Sequence, residues 1–149
     1  MYEQRPTSLL VVSAWLDSIP TLRAGISGPE LPEDNTSYGG SGFVVISPVG
    51  GYRDIFLART GRPIIQLDCH AIAPDTGLPL WYRAGDLLDE IVRATETKST
   101  LQRILTLPHD RGSARVMSCY PISEPRKLYR DDTSAAIQSQ DFVFHWTGA

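Results

Sequence analysis

Lysine is nearly missing from this chain. Two Lys stand beside twelve Arg, and the basic residues together are outnumbered by acidic ones, for a net charge of −3. An electrostatic grip on nucleic acid rests on clustered Lys and Arg, so this balance excludes a general DNA- or RNA-coating role. Cysteine is equally scarce. Cys69 and Cys119 stand far apart in the chain, which excludes a disulfide framework and leaves two reduced, buried, weakly polar side chains as the expectation. The three histidines (His70, His109, His145) are scattered, and no CxxC or HxxxH spacing occurs. Zinc needs three or four converging ligands, so no metal is expected. No apolar run approaches the roughly 20 residues of a membrane span. The opening MYEQRPTS lacks a basic stretch followed by an apolar one, so no secretory signal is expected. The reading is synthesis inside a cell, and the Asn35-Thr36-Ser37 sequon carries no weight.

What is present is an ordinary globular composition. At 149 residues, with 42% apolar and 21% charged side chains, the chain is long enough to bury a real core and is read as one domain over 1–149. The arginine excess has two accounts. One is coding bias in a GC-rich genome. The other is that planar, bidentate Arg suits protein–protein contacts.

Periodicity divides the chain into an α–β–β–α–β–β order. A first helix is expected over Thr7–Ile19, started by Pro6 and the hydroxyls of Thr7 and Ser8 and stopped by Pro20. Leu9, Val12, Leu16 and Ile19 form its stripe, with Trp15 on the flank. A short strand at Leu22–Ser27 precedes the Gly-, Pro- and acid-rich loop Gly28–Gly42. Phe43–Ser47 reads as a buried strand. The arm Pro48–Arg62 is too long for a tight hairpin, and its apolar middle either extends both flanking strands or meets a partner. Pro63–Ala73 follows, with Ile65, Leu67, Cys69 and Ala71 on one face and Gln66, Asp68 and His70 on the other. A second helix is expected over Leu80–Glu96, buried along Trp81, Ala84, Leu88, Ile91, Val92 and Thr95, with Asp86, Asp89, Glu90 and Arg93 on its wet side. Thr97–Leu107 reads equally as a helical turn or an edge strand. Ser113–Ser123, alternating Ala114, Val116, Ser118, Tyr120 and Ile122 against Arg115, Met117 and Cys119, forms a closing antiparallel pair with Ala135–Thr147 across the loop Glu124–Ser134, and Phe142, Phe144 and Trp146 share one face. The sum is an α+β single-domain sandwich, a mixed, mainly antiparallel sheet with two helices on one face.

Little in this pattern resembles chemistry. In Asp68-Cys69-His70 a nucleophilic thiol would need a base within hydrogen-bond reach. Strand alternation sends Cys69 to the opposite face from His70, so a buried apolar thiol is the plainer reading. The glycines Gly39-Gly40-Ser41-Gly42 precede a strand, and Gly50-Gly51 lie between strands. Phosphate loops instead lead from a strand into a helix N-terminus. No catalytic residue and no cofactor are expected. Two basic loops remain, Arg53, Arg59 and Arg62 with Asp54, and Arg126, Lys127 and Arg130 beside Asp131 and Asp132. Each reads as a solvated loop of mixed charge or as a docking surface for another subunit. Trp146 joins them as a candidate interface residue, with burial in the chain's own core the alternative.

One resemblance adds to this. The features are a first helix ending in Trp15-Leu16 and a proline, the strand Phe43-Val44-Val45-Ile46 followed by Gly50-Gly51, and the proline-opened strand Pro63–Cys69. A helix of Ala84, Leu87, Leu88 and Ile91 type follows, then two closing strands around a loop holding Pro125 and Tyr129-Arg130. In this order the chain, from about Pro6 to Trp146, resembles the tail terminator (tail-completion, gpU-like) proteins of long-tailed bacteriophages. The long Gly28–Gly42 loop departs from the family pattern. The resemblance implies a structural virion protein, made in the host cytoplasm, that forms a hexameric ring at the head-proximal end of the tail. That ring stops tube polymerisation and meets the head-side connector or stopper. Its partners would be further copies of itself, the tail tube protein and that connector, with DNA passing through the lumen without specific binding and no membrane involved. The alternatives are another head–tail neck ring protein, a small cytosolic enzyme using Asp68, Cys69 and His70, or a monomeric ligand-binding domain.

Overall fold

The computed structural model describes residues 7–32, 41–53, 60–129 and 135–148. Helix α1 (Ser8–Asp17) begins where a hydroxyl is available. The Thr7 Oγ1 accepts from the Leu10 N–H, satisfying one of the donors that a helix start leaves orphaned. It ends before Pro20, as expected. Val11, Val12, Trp15 and Leu16 are its buried face, so Trp15 belongs to the centre of the stripe and Leu9 to its margin. Helix α2 (Trp81–Thr95) buries Ala84, Leu87, Leu88, Ile91, Ala94 and Thr95 and leaves Asp86, Asp89 and Arg93 in solvent.

Among the described residues seven strands form one sheet: β1 (Ser27–Gly28), β2 (Phe43–Arg53), β3 (Thr60–Ala71), β4 (Leu105–Thr106), β5 (Ser113–Pro121), β6 (Arg126–Leu128) and β7 (Ala136–Gly148). Their order is β1-β2-β3-β7-β5-β4, with β6 also paired to β7. Every pairing is antiparallel except β1 on β2. Both helices lie on one face, where Val44, Ile65, Leu67, Cys69, Phe142, Phe144 and Trp146 meet the two helix stripes in one core. The α+β sandwich expected from the periodicity is the fold observed.

The two tryptophans fix how α1 sits on the sheet. The Trp15 indole N–H donates to the Thr100 carbonyl (2.9 Å) and its ring meets Phe144 edge-on at 5.4 Å. The Trp146 indole N–H donates to Ser8 Oγ at 3.0 Å. Each ring fills core volume while its polar edge is satisfied, the condition for burying a tryptophan without a penalty.

Three expectations need correction, and one open choice is decided. The strand expected over Leu22–Ser27 shrinks to Ser27–Gly28, because Leu22 and Ile26 drop into the core on either side of a turn in which Gly25 takes a φ of +74°. The arm Pro48–Arg62 takes the first of its two alternatives and extends both flanking strands: β2 runs on to Arg53 and β3 starts at Thr60, the ladder surviving a bulge between Pro48 and Gly50. Gly51 makes this approach possible, since a Cβ there would lie 2.2 Å from the Arg62 carbonyl oxygen. The loop Glu124–Ser134 contains β6, which lines up with the first half of β7 beyond the reach of β5. Finally, the simple alternation expected from Ala114 to Ile122 breaks at a bulge between Val116 and Ser118. Upstream, Ala114 and Val116 face the core. Downstream, Cys119 takes the buried side and Tyr120 turns outward. Thr97–Leu107 supplies both alternatives, a 3-10 turn at Lys98–Thr100 and the edge strand β4.

Candidate interaction surface

The sheet has two unlike faces, and the Asp68-Cys69-His70 trio is split between them. Cys69 points under the helices and is fully buried. Burial, reinforced by the Asp68 charge and only partly offset by Arg83, drives its thiol far above the ordinary cysteine range. Asp68 and His70 point to the outer face. There the Gln66 side-chain amide donates to both Asp68 carboxylate oxygens (2.9 and 3.2 Å), and His70 Nδ1 lies 3.1 Å from the Asp68 backbone carbonyl. The imidazole and the thiol are therefore on opposite sides of a strand, and no thiolate–imidazole pair forms. Cys119 is likewise buried, and burial pushes its thiol up to about 12. Among the described residues no group of three or more His, Cys, Asp or Glu is placed to hold a metal ion. None of their helices is long and apolar enough to cross a membrane.

The basic residues fare unevenly as interface candidates. Asp54, Arg59 and Arg130 lie outside the described residues. Arg53 is described only as backbone, paired with Gly61 at the end of the hairpin. Arg62 is exposed on the outer face of β3. Arg126 is engaged within the chain, its guanidinium 3.2 Å from an Asp141 carboxylate oxygen. Lys127 sits with its ammonium 5.2 Å from the centre of the Trp81 ring, a cation–π contact. The same ring meets Tyr129 at 5.4 Å. Trp146 is a correction: it is 0% exposed and belongs to the core, so its side chain offers nothing to a partner.

Sequence reasoning missed what the outer face becomes when these pieces are assembled. Toward the loop end of the β2–β3 hairpin, Arg62, Ile64, Ser118, Tyr120, Val143 and His145 line a cleft of about 380 Å³ on the bare sheet. Its floor is apolar (Ile64, Val143), and a guanidinium, an imidazole and two hydroxyls surround it. Tyr120 and Ile122 are about half exposed beside it. A second group of exposed residues sits at the start of α2, where Leu78 and Tyr82 (91% exposed) are near Trp81 in the chain and Tyr129 (78%) meets its ring. Monomeric proteins seldom leave tyrosines and aliphatics grouped in solvent, and aromatics with Arg are the signature of contact surfaces. Only the β5 bulge brings Ser118 and Tyr120 to this face, and no residue pattern announces it. No protein-family model matches this chain, and no curated protein sequence matches it.

Proposed function

We propose that this chain is a structural ring subunit of the tail-terminator type. Copies of it close into a ring, a hexamer by the resemblance, that caps the tail tube of a long-tailed bacteriophage, ends its polymerisation and offers the joint for the head-side connector. The observation that carries the reading is the outer sheet face. An antiparallel sheet covered by helices on one side presents its other side to water or to a partner. Here that side combines arginine, tyrosine and aliphatic groups in the manner of a protein contact. The separation of Cys69 from His70 removes the arrangement that a nucleophilic enzyme would need. The acidic net charge also suits a lumen through which DNA slides without being held.

The test is genetic and visual. A phage carrying this gene with an early stop codon should assemble tails of uncontrolled, excessive length that do not join heads. Purified protein added to growing tubes should restore a single length. Tails of normal length that join heads normally without the protein would contradict the reading.

A further inference from the structure

A ring built from identical copies needs two different surfaces per subunit, because a head-to-tail contact never meets itself. This inference rests on the ring reading and names those surfaces. The first is the bare half of the outer sheet face. At the other end of that face, Phe43, Ile72 and Ala135 form a small apolar cluster with Leu31 and Val45 packed on it. The end holding the cleft has Tyr120 and Ile122 in solvent. Arg115, opposite Thr147 on the same face, has a buried Nε with no hydrogen-bond partner and makes no ion pair among the described residues. Arg62, exposed on the same face, adds a second guanidinium to this surface.

The second surface is the solvent side of α2. Tyr82, Asp86, Asp89, Arg93 and Glu96 recur at alternating spacings of four and three, and all are exposed, so they form one stripe along the helix and its C-cap. Three acids and one base leave it two charges negative. Arg93 is held by Asp89 at 2.8 Å. Asp86 and Glu96 make no ion pair among the described residues. Glu96 occupies the C-cap, where the helix dipole disfavours an acid. A cation brought from outside would relieve that cost. Because α2 covers the inner face of the sheet, its stripe points away from the outer face, so the two surfaces lie back to front on one molecule.

We propose that the bare, basic half of the sheet in one copy receives the acidic, tyrosine-headed stripe of α2 from the next copy. Tyr82 meets the apolar floor beside Tyr120, and Asp86 and Glu96 meet Arg62 and Arg115. Each copy gives one surface and accepts the other, the head-to-tail rule from which a ring closes.

A charge swap tests it. Arg62→Glu with Arg115→Glu makes one variant, and Asp86→Arg with Glu96→Arg makes the other. Each alone sets like charges face to face and should associate at least about a hundredfold more weakly than the wild-type chain. Mixed in equal amounts, each variant's altered surface meets a complementary one, and association should return to within about tenfold of wild type, about 1.4 kcal/mol. That recovery also shows that both variants are folded. Variants that associate alone as well as wild type, or a mixture that stays dissociated, would overturn the docking while leaving the ring reading standing. A wild-type chain that never associates, alone or on tail tubes, would overturn both. Wild-type binding to a short DNA duplex that vanishes with Arg62→Glu and Arg115→Glu, without any loss of self-association, would assign the face to nucleic acid and overturn the docking.

Discussion

Trp146→Ala is expected to destabilise the protein by about 3–5 kcal/mol, the usual cost of deleting a large aromatic ring from a closed core. Three observations place it at that end of the scale. The side chain is 0% exposed. Its N–H bond to Ser8 ties the last strand to the first turn of α1. The ring also lies so close over β3 that a Cβ on Gly61 would stand 2.8 Å from Nε1. Truncation therefore leaves a cavity between a central strand and a helix and orphans a hydroxyl. Single domains are stable by only about 5–15 kcal/mol, so most of the margin disappears. Urea unfolding followed by circular dichroism measures it, with the exposed Lys98→Ala as a control that stays within about 0.5 kcal/mol of wild type. A loss under 1 kcal/mol for Trp146→Ala would mean that the ring does not fill the core.

The second large effect concerns the thiols. The thiolate is the reactive form. At pH 8 a group titrating at about 12, as Cys119 does, ionises roughly a thousandfold less than one at the ordinary 9.0. Cys69 ionises less still and has no path to solvent. Iodoacetamide labelling of the native protein at pH 8 should therefore run at least about a thousandfold slower than for a free thiol, and both cysteines should label promptly in denaturant. Fast, stoichiometric labelling of native Cys69 would revive the enzymatic reading. The same shift has a linkage consequence. The folded state holds its thiol protons to higher pH than the unfolded chain does, so this contribution to stability is complete below pH 9. It is lost progressively as pH rises toward the folded values.

Legibility in the sequence followed the strength of local signals. The Thr7 and Pro20 boundaries of α1, the Ile65–Ala71 face and the Phe142–Trp146 face are runs with clear punctuation and stand where expected, while the α1 stripe is rotated so that Trp15 takes its centre and Leu9 its margin. Residues whose placement depends on a strand neighbour did not announce themselves. Arg126–Leu128 is a strand because β7 outruns β5 and leaves an edge to be paired, and nothing within those three residues says so. The β5 bulge reverses the facing of Cys119 and Tyr120, and a one-residue slip of this kind is invisible to a period-two pattern. Interface candidates suffered most. Charge and aromaticity marked Arg126 and Trp146, yet the first is paired with Asp141 and the second is core. The acidic side of α2 was legible as a wet face, but its complement on the sheet exists only once β3, β5 and β7 lie side by side.

The central claim is that this fold is a scaffold whose outer surfaces mate with copies of itself. Light-scattering mass of the purified chain, measured free and after addition of tail tubes, tests it most directly. The account predicts a discrete closed assembly, six chains by the resemblance, present in solution or appearing at tube ends. A mass that stays at one chain under both conditions would contradict it.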